Sequence, residues 1–351
     1  MKKLRVAVLA ATGIVGQRYV HMLQDHPFFE LAALTGNASV GKRYGASLTA
    51  NAPPIGEEAR NLKVLPTSPD AVPDVDLVFS PLPTEAAKKL EPQFARRFNV
   101  VSDASANRMA EDVPLIIPEV NPSHLVLLGP QKERHHWRGS LVSTPNCTVT
   151  GLALVLKPLH DALGLKKVVV STLQAVSGAG YPGVPSLDLI DNVIPYIEYE
   201  EQKVESEPLK ILGEVGEGAV SPAKFEIGAM VHRVSTTEGH LESVYVETEE
   251  EFDADRVVDE LRGFRGEPQE LGLPTAPREP VIVTPEVDRP QPRLDRDVGT
   301  VPGMSVVVGR VRAGPGRNSG RLTLLAHNSI RGAAGSAILT AELMHKRGLL
   351  E

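Results

Sequence analysis

The chain has almost none of the residues that would cross-link a fold or carry it through a membrane. It has one cysteine among 351 residues, which excludes an internal disulfide framework and fits a reducing compartment. The first apolar run, from Leu4 to Leu9, is too short for a signal peptide or a membrane-spanning helix. We therefore expect a cytoplasmic protein with no membrane partner.

Clusters of positive charge are absent from the sequence as well. The formal net charge is −7 and no run of lysines or arginines compensates for it, so we expect no nucleic-acid partner. Anionic small molecules remain compatible with this balance, because a local site can bind them. The sequence has no internal repeat or low-complexity tract, and its length is sufficient for about two domains, each with its own core.

The single cysteine stands at a position that favours reactivity. Cys147 follows a β-type run and opens an apolar, helix-length segment that reaches Leu163, with a kink or stop predicted at Pro158. The unpaired N–H groups and the macrodipole at a helix N-terminus favour a thiolate, which suits an acyl-transfer nucleophile. The other interpretation is a small buried hydrophobic residue, since free cysteine is among the most buried residue types. The cysteine alone does not decide between them.

A strand, a glycine-rich turn and a helix begin the chain. Leu4 to Leu9 predicts the strand and Gln17 to Gln24 the helix, and the turn between them would bring backbone N–H groups to a pyrophosphate. The turn residues that we expect to contact the pyrophosphate are Thr12, Gly13, Ile14 and Val15. This opening is typical of a dinucleotide-binding fold.

The second predicted strand bears on which dinucleotide is bound. Leu31 to Thr35 is not followed by the acidic residue that would bind a ribose 2′-hydroxyl. Ser39 and Lys42 follow instead, and a hydroxyl with a cation suits a 2′-phosphate, so we expect NADP rather than NAD. A solvated loop with ordinary surface cations would explain the same residues.

The remaining pattern predicts two sheets. Val75 to Phe79 and Asn99 to Ser102 are predicted strands separated by a helix, which indicates a doubly wound parallel sheet with Ser80 at a ligand-binding strand end. The charged segment from Glu198 to Glu207 is typical of a solvated helical face. A final helix is expected from about Ile330 to Lys346. Further strands are predicted at Lys167 to Leu173, Phe225 to Val234, Leu241 to Glu247, Ser305 to Val311 and Leu322 to Ala326.

Six ordered motifs, spread over essentially the whole length, resemble the aspartate-semialdehyde dehydrogenase family in its archaeal and fungal branch. The motifs are Ala11 to Gly16, Pro145 to Thr148, Gln174 to Gly180, His232 to Val234 with Gly239-His240, Arg289 to Arg293, and His327-Asn328 with Arg331 to Gly335. The resemblance implies NADP-dependent reductive dephosphorylation of L-aspartyl 4-phosphate to L-aspartate 4-semialdehyde through a cysteine thioester. This reaction belongs to lysine, threonine and methionine biosynthesis.

The resemblance also implies roles for the residues that match those motifs. Cys147 would be the nucleophile, His240 the acid/base that assists thiol deprotonation, and Gln174 would orient the substrate beside the thioester. Arg233 would bind the substrate α-carboxylate. The other residues implied to bind substrate and inorganic phosphate are Glu200, Lys203, Arg108 and Asn146. Additional cofactor contacts would come from Ser80, Ser177, Gly178 and Asn328, and no metal is implied.

The fold and assembly implied by the resemblance are equally specific. The fold class is α/β, with a Rossmann-type NADP-binding domain formed by residues 1–146 and 328–351. Residues 147–327 would form an α+β catalytic and dimerisation domain with a mostly antiparallel sheet. A homodimer or homotetramer is expected.

Several alternatives stay open from the residues alone. Ala10 stands where the family usually has glycine, and His232 is a second candidate for the base. Malonyl-CoA reductase resembles the same branch and would use NADPH on a CoA thioester. N-acetyl-glutamyl-phosphate reductase shares the architecture, although the run from Arg289 to Arg293 fits it less well. A non-catalytic NADP-binding regulator on this scaffold would be expected to have lost the nucleophile and the base.

Overall fold

The first half of the molecule is built on a six-stranded parallel sheet. The structure is a computed structural model, and it describes residues 2–216 and 218–350. The strands lie in the order β3-β2-β1-β4-β5-β6, which is the order of the dinucleotide-binding Rossmann fold, with its ligand crevice between β1 and β4. The strands are β1 Leu4–Val8, β2 Phe29–Gly36, β3 Val64–Pro66, β4 Leu77–Ser80, β5 Asn99–Ser102 and β6 Ser140–Ser143. The predicted doubly wound sheet is confirmed.

Four helices accompany this sheet. They are α1 Ile14–Met22, α2 Glu57–Asn61, α3 Thr84–Ala95 and α4 Leu128–His135. Helix α1 begins three residues before the predicted start at Gln17, because Ile14, Val15 and Gly16 form its first turn directly after the N-cap residue Gly13. The glycine turn and the helix N-terminus are therefore one continuous feature at the crevice.

The second half contains a six-stranded mixed sheet in the order β10-β7-β11-β14-β13-β12. Its three central pairings are antiparallel and its two outer pairings are parallel, so the mostly antiparallel sheet is confirmed. A separate two-stranded sheet joins β8 to β9. The strands are β7 Leu165–Gln174, β8 Glu214–Val215, β9 Val220–Ser221, β10 Glu226–Arg233, β11 His240–Thr248, β12 Val281–Val283, β13 Val306–Ala313 and β14 Ser319–Ala326.

The helices of the second half include the one that Cys147 opens. They are α5 Cys147–Leu163, α6 Ser186–Leu189, α7 Glu200–Ile211, α8 Ala254–Gly263, α9 Glu267–Glu270, α10 Pro292–Asp295 and α11 Gly335–Lys346, with α11 preceded by a π-turn over Ile330–Ala334. Of the kink or stop predicted at Pro158, the stop does not occur, since α5 continues through Pro158 to the predicted end at Leu163. Most side chains of α5 are buried apolar groups, and this packing outweighs the one backbone hydrogen bond that proline removes.

Three hydrophobic cores lie on the two sheets, and the third packs α3 against the parallel sheet. The first core joins Val6 and Phe79 of the parallel sheet to Ile338 and Leu343 of α11. The second joins α5 to the mixed sheet. Because α11 packs with the first core, we propose that residues 328–351 belong to the same domain as residues 1–146. Within the part of the chain that is described, no helix has the length and apolar character needed to cross a membrane.

Ala10 has a backbone conformation that alanine rarely adopts. Its φ of 43° lies in the left-handed region, and its carbonyl accepts a hydrogen bond from Gly13 N at 3.0 Å, which closes the turn before α1. The methyl group costs about 1–2 kcal/mol in this region relative to glycine. The greater freedom of glycine in the unfolded chain offsets about 0.5–1 kcal/mol of that difference. The turn is therefore strained at the position where the family usually has glycine.

We expect Ala10→Gly to raise the free energy of unfolding by up to about 1 kcal/mol. Urea denaturation followed by circular dichroism measures this directly. Ala11→Gly is the matched control, because Ala11 is fully buried and is not among the positive-φ residues, so this change should destabilise the protein. Equal destabilisation by both variants would contradict the assignment of strain to Ala10.

Candidate active site

Cys147 is held at the N-terminus of α5 by the residue before it. Asn146 is the N-cap, and its side-chain oxygen accepts from the backbone N–H groups of Thr148 at 2.9 Å and Val149 at 3.3 Å. The Asn146 amide then donates to Glu200 Oε1 at 2.8 Å. The position of the thiol is thus determined by a cap that is itself anchored to α7.

His240 contacts the thiol. Its Nε2 lies 3.2 Å from Cys147 Sγ, and the residue is fully buried as the first residue of β11. Its Nδ1 accepts a hydrogen bond from the backbone N–H of Ala175 at 3.1 Å. His232, the other candidate, lies on β10 and contacts the carbonyl oxygen of Thr172 at 3.1 Å. The structure therefore brings His240, and not His232, to the sulfur.

Three adjacent strand ends bring the other predicted groups to the same edge of the mixed sheet. Gln174 ends β7 and pairs in register with Arg233 at the end of β10, and the start of β11 lies on the other side of β7. Arg233 is buried and its Nη1 donates to the Ala175 carbonyl at 2.6 Å. Gln174 donates to Thr172 Oγ1 at 3.3 Å. A guanidinium and an amide thus lie at the strand ends beside His240.

The face of α7 that carries Glu200 and Glu207 is buried and not solvated, which corrects the interpretation from charge patterning. Glu200 is 5% exposed and pairs with Lys203 at 3.2 Å. Glu207, 2% exposed, accepts from Arg108 Nη1 at 3.0 Å and from the backbone N–H of Asn146 at 2.7 Å. Four of the predicted substrate and phosphate residues therefore converge on one face of α7.

Glu207 and Lys210 were missed by the sequence interpretation. Lys210 is buried, and its ammonium group donates to the backbone carbonyls of Arg108, Ala110 and Val113 at 2.7, 2.7 and 2.9 Å. It holds the loop that carries Arg108, while Glu207 holds the Arg108 side chain. A signal for both residues was present in the sequence. Residues three or four positions apart share one face of a helix, and this spacing relates Glu200, Lys203, Glu207 and Lys210.

Burial sets the protonation of the Cys147 and His240 pair. Desolvation raises the pKa of the Cys147 thiol to about 12, with Glu200 acting in the same direction and Arg108, Arg233 and Lys203 opposing it. Desolvation also lowers the pKa of His240 to about 3. The expected preference for a thiolate from the helix N-terminus is therefore corrected: in this structure burial outweighs it, and both partners are neutral at pH 7.

We expect alkylation of Cys147 by iodoacetamide to accelerate about tenfold per pH unit between about pH 7 and pH 9, because the thiolate is the nucleophile and the thiol pKa lies above this range. The residue is partly accessible to solvent, so the reagent can reach it. Mass spectrometry counts the added group without ambiguity, since Cys147 is the only cysteine. A rate that is already flat at neutral pH would contradict the raised pKa.

The start of α1 lies at a cleft that can accept a dinucleotide. A cavity of about 320 Å³ is lined by Ile14, Ser177, Thr237 and other residues from both halves of the chain. The N-cap Gly13 is exposed and has no side chain to satisfy the first N–H groups of α1. The residues present thus fit a pyrophosphate, which accepts hydrogen bonds from such a helix terminus.

The other predicted cofactor residues lie in different environments. Asn328 accepts from Gly239 N at 2.9 Å and donates to Ser177 Oγ at 2.8 Å, so it joins the turn Val176–Ala179 to the residue before His240. Ser39 is half-buried and Lys42 is exposed on the loop after β2. Ser80 departs from its prediction: it is fully buried and its hydroxyl donates to Glu91 at 2.7 Å, so it supports the end of β4 rather than facing the cleft.

Gly178, in the turn Val176–Ala179, lies against Arg233 and His240. A Cβ at this position would lie 2.9 Å from Arg233 Nη1 and 3.3 Å from His240 Cε1.

We expect Gly178→Ala to lower kcat/KM by about 10- to 100-fold, because it displaces groups that must hold the substrate. Gly228→Ala is the control, since nothing among the described atoms lies within 4 Å of its Cβ. Steady-state kinetics decide, and equal activity of the two variants would contradict the proposed close approach.

Comparison with known families agrees with this geometry. The model of the semialdehyde dehydrogenase NAD binding domain matches residues 5–128, and that of the semialdehyde dehydrogenase dimerisation domain matches residues 156–331. The chain belongs to the semialdehyde dehydrogenase family. The first match covers strands β1 to β5 of the parallel sheet and ends at the start of α4, and the second covers the C-terminal part of α5 and the mixed sheet.

Individual relatives match this semialdehyde dehydrogenase over its full length. The aspartate-semialdehyde dehydrogenase of Methanothermobacter thermautotrophicus is 50% identical over 347 residues, which are 97% of this chain and 99% of the relative. Malonyl CoA reductase (NADP) of Metallosphaera sedula is 44% identical over 357 residues, which cover 100% of this chain and 99% of the relative. The crystal structure of aspartate semialdehyde dehydrogenase with NADP from Candida albicans has a TM-score of 0.90 at 33% identity, covering 99% of both chains. The resemblance noted from the motifs is confirmed.

Proposed function

We propose that this protein is an NADP-dependent aspartate-semialdehyde dehydrogenase, which reduces L-aspartyl 4-phosphate to L-aspartate 4-semialdehyde and releases inorganic phosphate. The observation that carries the proposal is the 3.2 Å contact between Cys147 Sγ and His240 Nε2 beside the buried guanidinium of Arg233. A non-catalytic regulator would have no need of this intact pair. When bound, the cofactor supplies the hydride, or accepts it in the reverse direction.

The covalent step belongs to Cys147. Its sulfur forms a bond to the acyl carbon, the bond from that carbon to the phosphate oxygen breaks, and phosphate leaves with the electron pair. Arg233 binds the substrate α-carboxylate through its planar fork of donors, and Gln174 orients the acyl group. A thioester on Cys147 then keeps the acyl group beside the cofactor cleft.

The phosphate group would lie against the face of α7. Arg108, Lys203 and Asn146 supply donors there, and the carboxylates of Glu200 and Glu207 hold those donors in place at 2.8 to 3.2 Å. Arg108 and Lys203 are already aligned, so their side chains lose little conformational freedom when phosphate binds. This favours aspartyl phosphate over the larger thioester malonyl-CoA. This arrangement supports aspartyl phosphate as the substrate.

We also propose that the protein is a homodimer or homotetramer of the cytoplasm. The matched dimerisation domain contains the mixed sheet, whose outer face exposes apolar side chains at Val169, Leu173 and Met230. Exposed apolar side chains on one sheet face are typical of an interface. Light scattering of the purified protein would give a monomer mass if this is wrong.

The activity is tested by measuring NADPH formation with L-aspartate 4-semialdehyde, with and without phosphate, alongside NADPH consumption with malonyl-CoA. Phosphate-dependent NADPH formation is the expected result. Malonyl-CoA is included because a reductase of that thioester is 44% identical over the full chain. Activity with malonyl-CoA alone would retain the cysteine chemistry and overturn the proposed substrate.

A further inference from the structure

Glu238 joins the two halves of the chain beside the dinucleotide cleft. Its carboxylate accepts from Arg18 Nη2 on α1, at 2.8 Å to Oε1 and 2.9 Å to Oε2. Both residues line the cavity of about 320 Å³ that also includes Ile14 at the start of α1. Only 18% of the Arg18 side chain and 12% of the Glu238 side chain are exposed, so water screens the pair less than it screens a surface pair.

Two further donors reach the same carboxylate from a third segment. Ser329 Oγ donates to Oε1 at 3.0 Å, and His327 Nε2 lies 3.0 Å from Oε2. Both residues belong to the segment between β14 and α11. Desolvation raises the pKa of Glu238, but hydrogen bonding and attraction from His327 and Arg18 outweigh it and lower this pKa to about 2. Glu238 is therefore a carboxylate at pH 7, and it connects α1, the loop before β11 and the segment before α11.

The hydrogen bonds continue from Glu238 to the far wall of the cleft. Gly239, the next residue, donates its N–H to Asn328 Oδ1 at 2.9 Å, and the Asn328 amide donates to Ser177 Oγ at 2.8 Å. The residue after Gly239 is His240, whose Nε2 lies 3.2 Å from Cys147 Sγ. One connected set of contacts thus runs from α1 to the turn that carries Ser177 and to the reacting groups.

We propose that Glu238 is a positioning residue for the cofactor, which fixes α1, the helix that would hold the pyrophosphate, relative to the strand ends that carry the reacting groups. The pyrophosphate and the nicotinamide of a dinucleotide are joined through one ribose, so a cleft that binds both must keep its two walls in register. Hydride transfer depends on this register, because a misplacement of about 1 Å costs up to about 100-fold in rate. The inference deepens the NADP-dependent function proposed above and rests on it.

The sign of the charge separates this role from a direct contact with the cofactor. NADP is a polyanion, so removing a nearby carboxylate would by charge alone strengthen its binding. The proposed role requires the opposite result for Glu238→Gln, because this change releases α1 from the other wall of the cleft. Arg18 lines the cleft as well. If Arg18 only bound NADP directly, its own removal would weaken binding and the removal of Glu238 would not.

Isothermal titration calorimetry of NADP against the full-length protein decides between these cases. We expect the Kd to rise about 3- to 10-fold in both Glu238→Gln and Arg18→Met, because binding must then order side chains that the pair now holds. The double variant should lie within about twofold of the weaker single variant, since both changes remove the same link. An unchanged or lower Kd in Glu238→Gln would overturn the proposal, and so would losses that multiply in the double variant.

The pair of Arg317 and Glu251 is the matched control. These side chains meet at 2.7 Å at the end of β11 and β14 opposite His240, and both are largely exposed. Arg317→Met and Glu251→Gln should leave the Kd for NADP within about twofold. A shift as large as that of the cleft variants would overturn the assignment to Glu238. Circular dichroism verifies that each variant folds.

Kinetics at saturating NADPH supply the second readout. A residue that only binds the cofactor raises KM for NADPH when it is removed and leaves kcat unchanged. We expect Arg18→Met and Glu238→Gln also to lower kcat about tenfold, with a larger deuterium isotope effect from NADPD, because α1 is no longer in register with the reacting groups. An unchanged kcat would overturn the positioning role. Arg18→Met leaves the carboxylate its contacts with His327 and Ser329, so it carries this test if Glu238→Gln does not fold.

Alkylation of Cys147 by iodoacetamide separates the cofactor cleft from the cysteine itself. This reaction needs no cofactor, so its rate in Arg18→Met and Glu238→Gln should stay within about twofold of that of the unaltered protein. A parallel loss of alkylation would mean that the whole site is disturbed and would overturn the specific role of Glu238. NADP binding and alkylation need no substrate, so both measurements stand even if aspartyl phosphate is the wrong substrate.

Discussion

Cys147→Ser is expected to lower kcat by about 10⁴-fold or more, which is the scale seen when a catalytic nucleophile is removed. Cys147 carries the only thiol of the chain, and its Sγ lies 3.2 Å from His240 Nε2. A serine hydroxyl is a much weaker nucleophile than a cysteine thiol at neutral pH. NADPH formation from L-aspartate 4-semialdehyde and phosphate measures the loss.

Ser143→Ala is the matched control for this variant. Ser143 lies four positions before Cys147 at the end of β6, and its buried hydroxyl has no hydrogen-bond partner among the described residues. Removing it should therefore leave kcat within about twofold and the fold intact. Circular dichroism verifies that both variants fold. Substantial turnover by Cys147→Ser would show that the chemistry does not pass through a thioester at this position.

Arg331→Met is expected to destabilise the fold by about 3–5 kcal/mol, because it leaves the carboxylate of Glu119 buried without its partner. Arg331 and Glu119 have fully buried side chains, and two hydrogen bonds join them at 2.9 and 2.6 Å. The pair links the π-turn before α11 to the segment that follows β5. Urea denaturation gives the free energy of unfolding for each variant.

The double variant Glu119→Met with Arg331→Met is the control for that loss. It removes both charges and retains much of the buried volume, so we expect it to be more stable than Arg331→Met alone. The losses in free energy of unfolding of the single variants Glu119→Met and Arg331→Met are measured as well. If the loss in the double variant equals their sum, packing and not an unpaired charge causes the effect. Activity should fall as well, since a Cβ on the adjacent Gly332 would lie 2.6 Å from the Cys147 Cβ, which places this turn directly against the nucleophile.

Local sequence determined the elements that have local causes. Helix α5 was predicted with both observed ends, at Cys147 and Leu163, because its apolar length is continuous and Gly164 follows it. β5 was predicted residue for residue from a short β-branched run between a helix and a polar turn. Helix α8 also has a local cause, since the side chain of its N-cap residue Asp253 accepts a hydrogen bond from Asp255 N at 2.9 Å.

The environment of each site residue was decided only by the tertiary structure. The sequence assigned Cys147 and His240 to one site through family motifs, but their contact depends on packing the start of helix α5 against the start of strand β11, 93 positions later in the chain. Burial of Glu207 and Lys210 against the Arg108 loop depends on helix packing, so charge patterning mistook that face for a solvated one. The raised pKa of the Cys147 thiol has the same origin, since desolvation is a property of the assembled surroundings.

The sequence by itself determined the class of protein: an α/β chain with a dinucleotide turn, a single cysteine at the start of a helix-length segment and the motif order of a semialdehyde dehydrogenase. These features are encoded in residue type and spacing, which can be read along the chain. Only the tertiary structure decided the surroundings of each site residue. The ring of His240 is oriented by the backbone N–H of Ala175 at 3.1 Å, a group present in almost every residue, whose role comes solely from where the fold places it.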